Sequence, residues 1–385
     1  MTGSGRAAAL RSVFPTGSPT PRWWRAPGRV NLIGDHTDYA EGFVLPMAID
    51  RDCLLAVASG ESGRVRARSL DLPGVVDISA DGSDDPASVE PAWGRFVAGA
   101  TRVVTERAPT SRSPLAAPGL ELAVGSTIPP GSGLSSSSAL AVALVLGLAD
   151  AFGIDLDRTA AVHAAFEAEI LATGVPSGLM DQLTSLHGVD DHALLIDCRS
   201  LEIAPIPLPS DLAVLVVHSG MPRTLVGSAY AERRAATEAA ATRLGVAALR
   251  DARPDQVRDD PRARHVVSEN ARVLAFADAL RSGDHDALGP LLLASHASLR
   301  DDFEVSTPEL DALVETLVAS GASGARLTGA GFGGCVVALS PADTADEVLA
   351  TTVAAYRPPS GGAVPAFRVR AVAGAGLVPD PDVAR

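Results

Sequence analysis

Residues 129–139 read PPGSGLSSSSA, between the strand-like LELAV at 120–124 and the apolar run ALAVALVLGLADAFG at 139–153. Gly131 and Gly133 let the backbone approach a ligand closely and adopt positive φ. Ser135, Ser136, Ser137 and Ser138 then fall at the start of what reads as a buried helix. A helix start carries unpaired N–H groups and partial positive charge, so it receives anions. The serine hydroxyls add hydrogen bonds or ligate Mg²⁺. The plain alternative is a flexible turn with a serine N-cap. One cap needs one serine, and the surplus favours a phosphate loop. The chain has no lysine, so all 32 basic residues are arginine. A GxxxxGK[ST] loop is therefore excluded, and phosphate charge falls to backbone N–H groups, arginine and a metal.

The rest of the composition narrows the class. With 385 residues, 46% hydrophobic and 20% charged, the chain suits two domains and excludes a disordered or coiled-coil protein. A net charge of −14 with no basic run argues against nucleic-acid or anionic-membrane partners. Cys53, Cys198 and Cys335 lie far apart, which suits a reducing cytosol rather than a disulfide framework. The N-terminus lacks the apolar length of a secretory signal, and the apolar stretch at 139–149 is below membrane-spanning length. A soluble intracellular protein is expected.

Patterning predicts strands over 53–59, 64–70 and 120–124, and in HALLIDCRSLEIAPIPL and LAVLVVHSG. Helices are expected from near Trp93 to Glu106, over the apolar run after the serines, over 157–171, in LMDQLTSLHG, and through most of 228–293. Residues 1–21 read as a flexible arm, 24–50 as turn-rich, 77–91 and 107–119 as surface loops, GARLTGAGFGGCVVAL as loop then strand, and GLVPDPDVAR as frayed. The order favours α+β in two domains, 22–205 and 206–385, over a doubly wound parallel sheet.

Two further segments carry chemistry. Residues 28–39, GRVNLIGDHTDY, crowd Arg29, Asn31, Asp35, His36, Asp38 and Tyr39 together. Carboxylates with imidazole suit polyol recognition. DHTD also reads as a metal site, and an Asx turn at Asp35 is the structural reading; spacing leaves these open. In GVPSGLMDQ, 174–182, Asp181 falls in the first turn of a helix, where acids are favoured by the dipole anyway. An ionised, weakly basic carboxylate there fits phosphoryl transfer, in which positioning outweighs strong proton abstraction.

Taken in order, these segments resemble the galactokinase family of the GHMP small-molecule kinases. GRVNLIGDHTDYAEGFVLPMAI is similar to the galactokinase signature, PPGSGLSSSSA to the shared phosphate loop, GVPSGLMDQ to the segment with the catalytic aspartate, and RLTGAGFGGC, 326–335, to the third GHMP motif. HALLIDCRSLE and SLRDDFEVSTPELD also resemble galactokinases. The resemblance implies a two-domain fold with the active site in the cleft. It implies transfer of the γ-phosphoryl of ATP to O1 of α-D-galactose with Mg²⁺, the first committed step of galactose metabolism. Asp181 would be the catalytic base and Arg29 would offset charge beside the phosphoryl. Arg29, Asp35, His36, Asp38, Gly178, Asp181 and Tyr230 would bind the sugar. Gly131, Gly133, Ser135, Ser136 and Ser137 would hold the nucleotide phosphates, with Trp93 near the adenine. Ser137 and Glu169 would ligate Mg²⁺. The RLTGAGFGGC loop would close near the phosphates. It is no dinucleotide fingerprint, since it precedes a strand. D-Galactose and ATP are the expected partners of a monomeric, cytosolic enzyme.

Asp35 departs from the commoner glutamate, one methylene longer, which invites a water bridge or a small shift of the sugar. Ser138 stands where alanine is commoner. His163, His187, His192, His218, His265, His285 and His296 receive no role, and Asp301 and Asp302 read as structural. The rivals are a kinase for N-acetylgalactosamine or arabinose, and a galactose sensor without catalysis. Arg29, Asp181 and the Ser138–Ala139 pair favour catalysis over the sensor.

Overall fold

In the computed structural model, which describes residues 3–15, 17–108, 118–175, 178–221, 226–359 and 361–380, the apolar run after the serines forms one buried helix. Three sheets organise the described residues. The first has the order β13 (Gly376–Val378), β1 (Arg22–Asn31), β3 (Pro46–Gly60), β6 (Gly119–Ser126), β4 (Arg64–Ser69), β5 (Val75–Ser79). The second joins β2 (Phe43–Val44), β7 (His192–Asp197) and β8 (Ile203–Pro207). The third has the order β10 (Gly324–Thr328), β11 (Cys335–Pro341), β9 (Leu212–His218), β12 (Ala366–Val369). The pairing is antiparallel except between β4 and β6, so the α+β reading holds.

The helices are α1 (Gly3–Ser12), α2 (Gly94–Glu106), α3 (Ser136–Phe152), α4 (Arg158–Thr173), α5 (Met180–His187), α6 (Val226–Leu244), α7 (Pro261–Ser282), α8 (His285–Asp301), α9 (Pro308–Ala319) and α10 (Ala345–Ala355). Asp157, Asp260, Asp284 and Thr307 each cap a helix through a side-chain oxygen. α3 is apolar on nearly every face, the mark of a helix in the middle of a core, and Gly153 ends it in a left-handed cap.

Strand alternation divides the interior. On β9, Val214 and Val216 face the large core shared with the first half, while Ala213, Leu215 and Val217 face a second core under α9 and α10. On β11, Cys335, Val337 and Leu339 face the first core, and Val336 and Ala338 the second. A period of two thus lets one sheet seal both. The two halves are joined by packing as well as by chain.

Several expectations need correction. The reading of residues 1–21 as a flexible arm fails over α1, which lays Ala7 and Leu10, both 0% exposed, against Trp23, Leu54 and Ala56, and whose Arg6 pairs with Asp52 at 2.5 Å. The turn-rich reading of 24–50 missed β1 and the start of β3, because Pro27 and Gly28 interrupt the strand pattern where the register shifts. β5 occupies the start of the expected 77–91 loop. GARLTGAGFGGCVVAL is strand, loop, strand. Gly376–Val378 is not frayed but pairs with Arg25, Trp24 and Trp23, while 381–385 lie outside the described residues. So do 109–117, most of the expected 107–119 loop. No described helix is long and apolar enough to cross a membrane.

Candidate active site

The glycine–serine loop packs on the end of β1. A Cβ at Gly28 would meet the Leu134 carbonyl at 2.6 Å, so the glycine is what lets the two backbones touch. Arg29 N–H donates to that carbonyl at 3.1 Å. Gly131 and Gly133 have φ of 66° and 82°, as expected, and Ser135 also turns left-handed at 59°. Ser135 stands at the N-cap position of α3 but makes no capping bond with its side chain. Its hydroxyl turns instead to Asp181 Oδ2. The plain-cap reading fails, and the first-turn N–H groups of α3 remain free of a side-chain cap.

Arg29 ties the loop to Asp181. Nε and Nη2 donate to the two Asp181 carboxylate oxygens at 2.8 and 3.0 Å, a fork-to-fork pair. Nη1 donates to the Gly133 carbonyl at 2.5 Å. Asp181 does lie in the first turn of α5. Pro176 and Ser177, just before it, lie outside the described residues.

A cleft of about 170 Å³ opens beside this pair, and Arg29, Asp35, His36, Asp38, Gly178, Asp181 and Tyr230 all line it. Val175, Met180, Gly329 and Ala330 complete the wall. A Cβ at Gly178 would lie 1.9 Å from Asp38 Oδ2, so a side chain there would displace that carboxylate. Burial, then the nearby Asp181 charge, push the Asp38 carboxyl up to about 6. His36 holds a left-handed φ of 67°. Its Nδ1 lies 2.9 Å from the Tyr39 hydroxyl, and its Nε2 has no hydrogen-bond partner among the described residues. The His36 ring packs against Tyr230 at 5.6 Å and Phe303 at 4.7 Å.

Asp35 is held on every side. Its carboxylate takes Arg326 Nη2 on one oxygen and the Gly329 N–H, at 3.1 Å, on the other. Arg326 Nη1 reaches the Asn31 and Leu32 carbonyls at 3.3 and 3.1 Å. Burial raises the Asp35 carboxyl above its ordinary range, with Arg326 and Arg29 opposing.

Gly131, Ser136, Ser137, Glu169 and Trp93 do not line this cleft. Glu169, on α4, accepts from Ser138 Oγ and Gln182 Nε2 at 2.7 Å each. Burial raises its carboxyl, and the Ser137 and Ser138 hydroxyls oppose that. This cluster of carboxylate and hydroxyl oxygens at the start of α3 is a hard-oxygen set of the kind Mg²⁺ takes. Among the described residues no three His, Cys, Asp or Glu side chains converge as a metal cage. Trp93 opens α2, which packs on α3 and α4. It is buried, and its Nε1–H donates to the Pro73 carbonyl at 3.1 Å.

Comparison with known proteins agrees with this geometry. Residues 11–59 match the galactokinase galactose-binding signature, 95–189 the GHMP kinases N-terminal domain and 276–356 the GHMP kinases C-terminal domain. Galactokinase from Lactococcus lactis, solved in complex with galactose, superposes with a TM-score of 0.89 at 30% identity, over 98% of this chain and 100% of that one. This chain belongs to the galactokinase family. Methanococcus jannaschii mevalonate kinase shares the fold, with a TM-score of 0.68 at 18% identity over 93% of this chain and 100% of that one.

Within this galactokinase-family fold, sequence reasoning missed three contributors to the cleft. Arg326 opens a motif expected at the phosphates, yet it braces Asp35, and Gly329 and Ala330 line the cleft itself. An arginine inside a strand that is buried throughout, β10, was the available signal. Ser138, which stands where alanine is commoner, donates to Glu169.

The Asp38 shift gives a stability prediction. The folded value of about 6 lies above the ordinary 3.8, so the stability of the protonated form is complete below pH 3.8 and is lost as pH rises through about 6. Asp38→Asn therefore raises the Tm of the ligand-free protein at pH 8 and gives no gain at pH 4. Thermal melts at the two pH values check this, and an unchanged or lower Tm at pH 8 contradicts it.

Proposed function

We propose that this protein transfers the γ-phosphoryl of ATP to O1 of α-D-galactose, giving α-D-galactose 1-phosphate and ADP. The observation that carries the reading is the bridge made by Arg29, whose one guanidinium joins Asp181 at the cleft to Gly133 of the phosphate loop. Such a bridge sets an acceptor for a sugar proton beside the place where phosphoryl charge would develop.

The sugar would lie in the cleft, its hydroxyls donating to Asp38 and Asp35, with His36, Tyr230 and the Gly178 backbone around it. Asp181 would orient the O1 hydroxyl and accept its proton as the O1–phosphorus bond forms and the bond to the ADP oxygen breaks. Arg29 would meet the developing charge. The free N–H groups at the start of α3, with Gly131, Gly133 and Ser135 to Ser137, would hold the nucleotide phosphates, and Trp93 would stand on the adenine side. Glu169 and Ser137 supply oxygens suited to Mg²⁺, which would neutralise phosphate charge. A monomeric cytosolic enzyme at the head of galactose use completes the proposal; the free thiols of Cys53 and Cys198 fit a reducing compartment.

The test is ADP release by the purified protein with ATP, Mg²⁺ and a sugar panel. Galactose is expected to lead. A lead by N-acetylgalactosamine or arabinose keeps the kinase and moves attention to Asp35, His36 and Tyr230. Galactose binding without ADP release with any sugar overturns catalysis in favour of a sensor.

A further inference from the structure

Beneath the sugar-facing turn lies a buried histidine to which the sequence assigned nothing. His265, on α7, is 0% exposed. Its Nε2 lies 3.1 Å from the Asp35 carbonyl and its Nδ1 2.9 Å from Ser298 Oγ. A carbonyl only accepts, so Nε2 carries the hydrogen. Burial pushes the imidazole down to about 4, which leaves the ring neutral at pH 7 and Nδ1 bare. The Ser298 hydroxyl must then donate to Nδ1. Ser298 Oγ also lies 3.1 Å from Asp302 Oδ2. Arg264 supplies the other oxygen of Asp302, Oδ1, through Nε at 3.2 Å and Nη2 at 2.5 Å, so Oδ2 and the ring compete for the one Ser298 hydrogen, and the acceptor-only carbonyl at Nε2 assigns it to Nδ1. A chain of four side chains from α7, α8 and the end of α8 thus ends on one peptide group.

That peptide group joins Asp35 to His36, and His36 is held at a φ of 67°. A non-glycine residue stays in the left-handed region only where its surroundings over-determine it. The bond from His265 fixes the plane about which that φ turns. Phe303 reinforces it, packing its ring 4.7 Å from His265 on one side and 4.7 Å from His36 on the other. We infer that His265 is a positioning residue for sugar binding: it holds the Asp35–His36 turn in its strained conformation, and Ser298 sets its tautomer. His265 touches no substrate and acts through Asp35 and His36. The inference rests on the proposed galactose site for its kinetic readout, but its tautomer readout needs no substrate.

The experiment uses the full chain with His265→Leu, His265→Gln and Ser298→Ala. Side-chain ¹H–¹⁵N correlations of histidine-labelled protein, without substrate, should show His265 with its hydrogen on Nε2 in the wild type and a mixture in Ser298→Ala. In the kinase assay, His265→Leu and Ser298→Ala should raise the KM for galactose about tenfold, the scale of one lost buried hydrogen bond. The KM for ATP should stay within about twofold, because the phosphate loop is braced by other groups. His265→Gln, which retains an N–H donor, should recover most of the loss. Ser298→Ala keeps the test open if His265→Leu does not fold. An Nδ1–H tautomer in the wild type overturns the inference. So does a loss of Tm with the galactose KM unmoved, or an equal rise in both KM values, since either outcome marks a merely structural histidine. A wild type active on another sugar corrects the substrate alone, and the same split is then read with that sugar.

Discussion

Asp181→Asn should lose most turnover while the protein stays folded and still binds sugar. General-base assistance is worth roughly 10²–10⁴-fold in rate, and a fall of that order in kcat is expected. The geometry says why an amide cannot substitute. Both carboxylate oxygens of Asp181 accept from Arg29, and one also accepts from Ser135. Asparagine offers one oxygen and turns an NH₂ donor toward a donor. Arg29, 6% exposed, would lose half of its fork, at a cost of about 1–3 kcal/mol if a buried donor goes unpaired. The measurement is single-turnover phosphoryl transfer beside direct sugar titration and a thermal melt. Normal turnover would remove Asp181 from the chemistry. A second consequence follows from the neighbouring carboxylate. The Asp181 charge is one of the causes that raise Asp38, so removing it should lower the Asp38 pKa in the variant.

Arg326→Met should be among the most destabilising single changes outside the apolar core. Arg326 is 0% exposed and its carboxylate partner Asp35 is 2% exposed. Removing one member of a buried pair leaves the other charged without compensation, which costs about 3–5 kcal/mol. The loss should appear as a lower denaturant midpoint at pH 7. It should shrink toward acid pH: burial already raises the Asp35 carboxyl, loss of Arg326 raises it further, and the protonated acid needs no partner. Pairing Arg326→Met with Asp35→Asn should cost less than the sum of the singles, because the two residues share one interaction. Additive losses would show that Arg326 acts through the Asn31 and Leu32 carbonyls and not through Asp35.

The legible parts of this chain were local ones. The positive φ at Gly131 and Gly133, the buried helix after the serines and the first-turn position of Asp181 follow from spacing over a dozen residues or fewer, while the cleft members Gly178 and Tyr230 came from the family resemblance. What escaped were partnerships between distant segments. β1 was hidden by Pro27 and Gly28, and its pairing with β13 joins residues near opposite ends of the chain. α1 looked like a loose arm because its composition is poor in large apolar residues, yet Ala7 and Leu10 find a sheet to cover.

For the site, the sequence determined which groups are available: a lysine-free glycine–serine loop, one arginine, one aspartate at a helix start, and a polar turn with two acids and a histidine. The tertiary structure decided how they are held. His265, Glu269 and Asn270 of α7 bond to Asp35, Gly34 and Phe43 at 3.1, 3.0 and 2.8 Å, and Arg326 enters from a strand 291 residues along the chain from Asp35. The physical reason is that a buried polar group needs a partner, not a particular partner. Composition and spacing show that donors and acceptors exist, but only the packed chain pairs them across such separations.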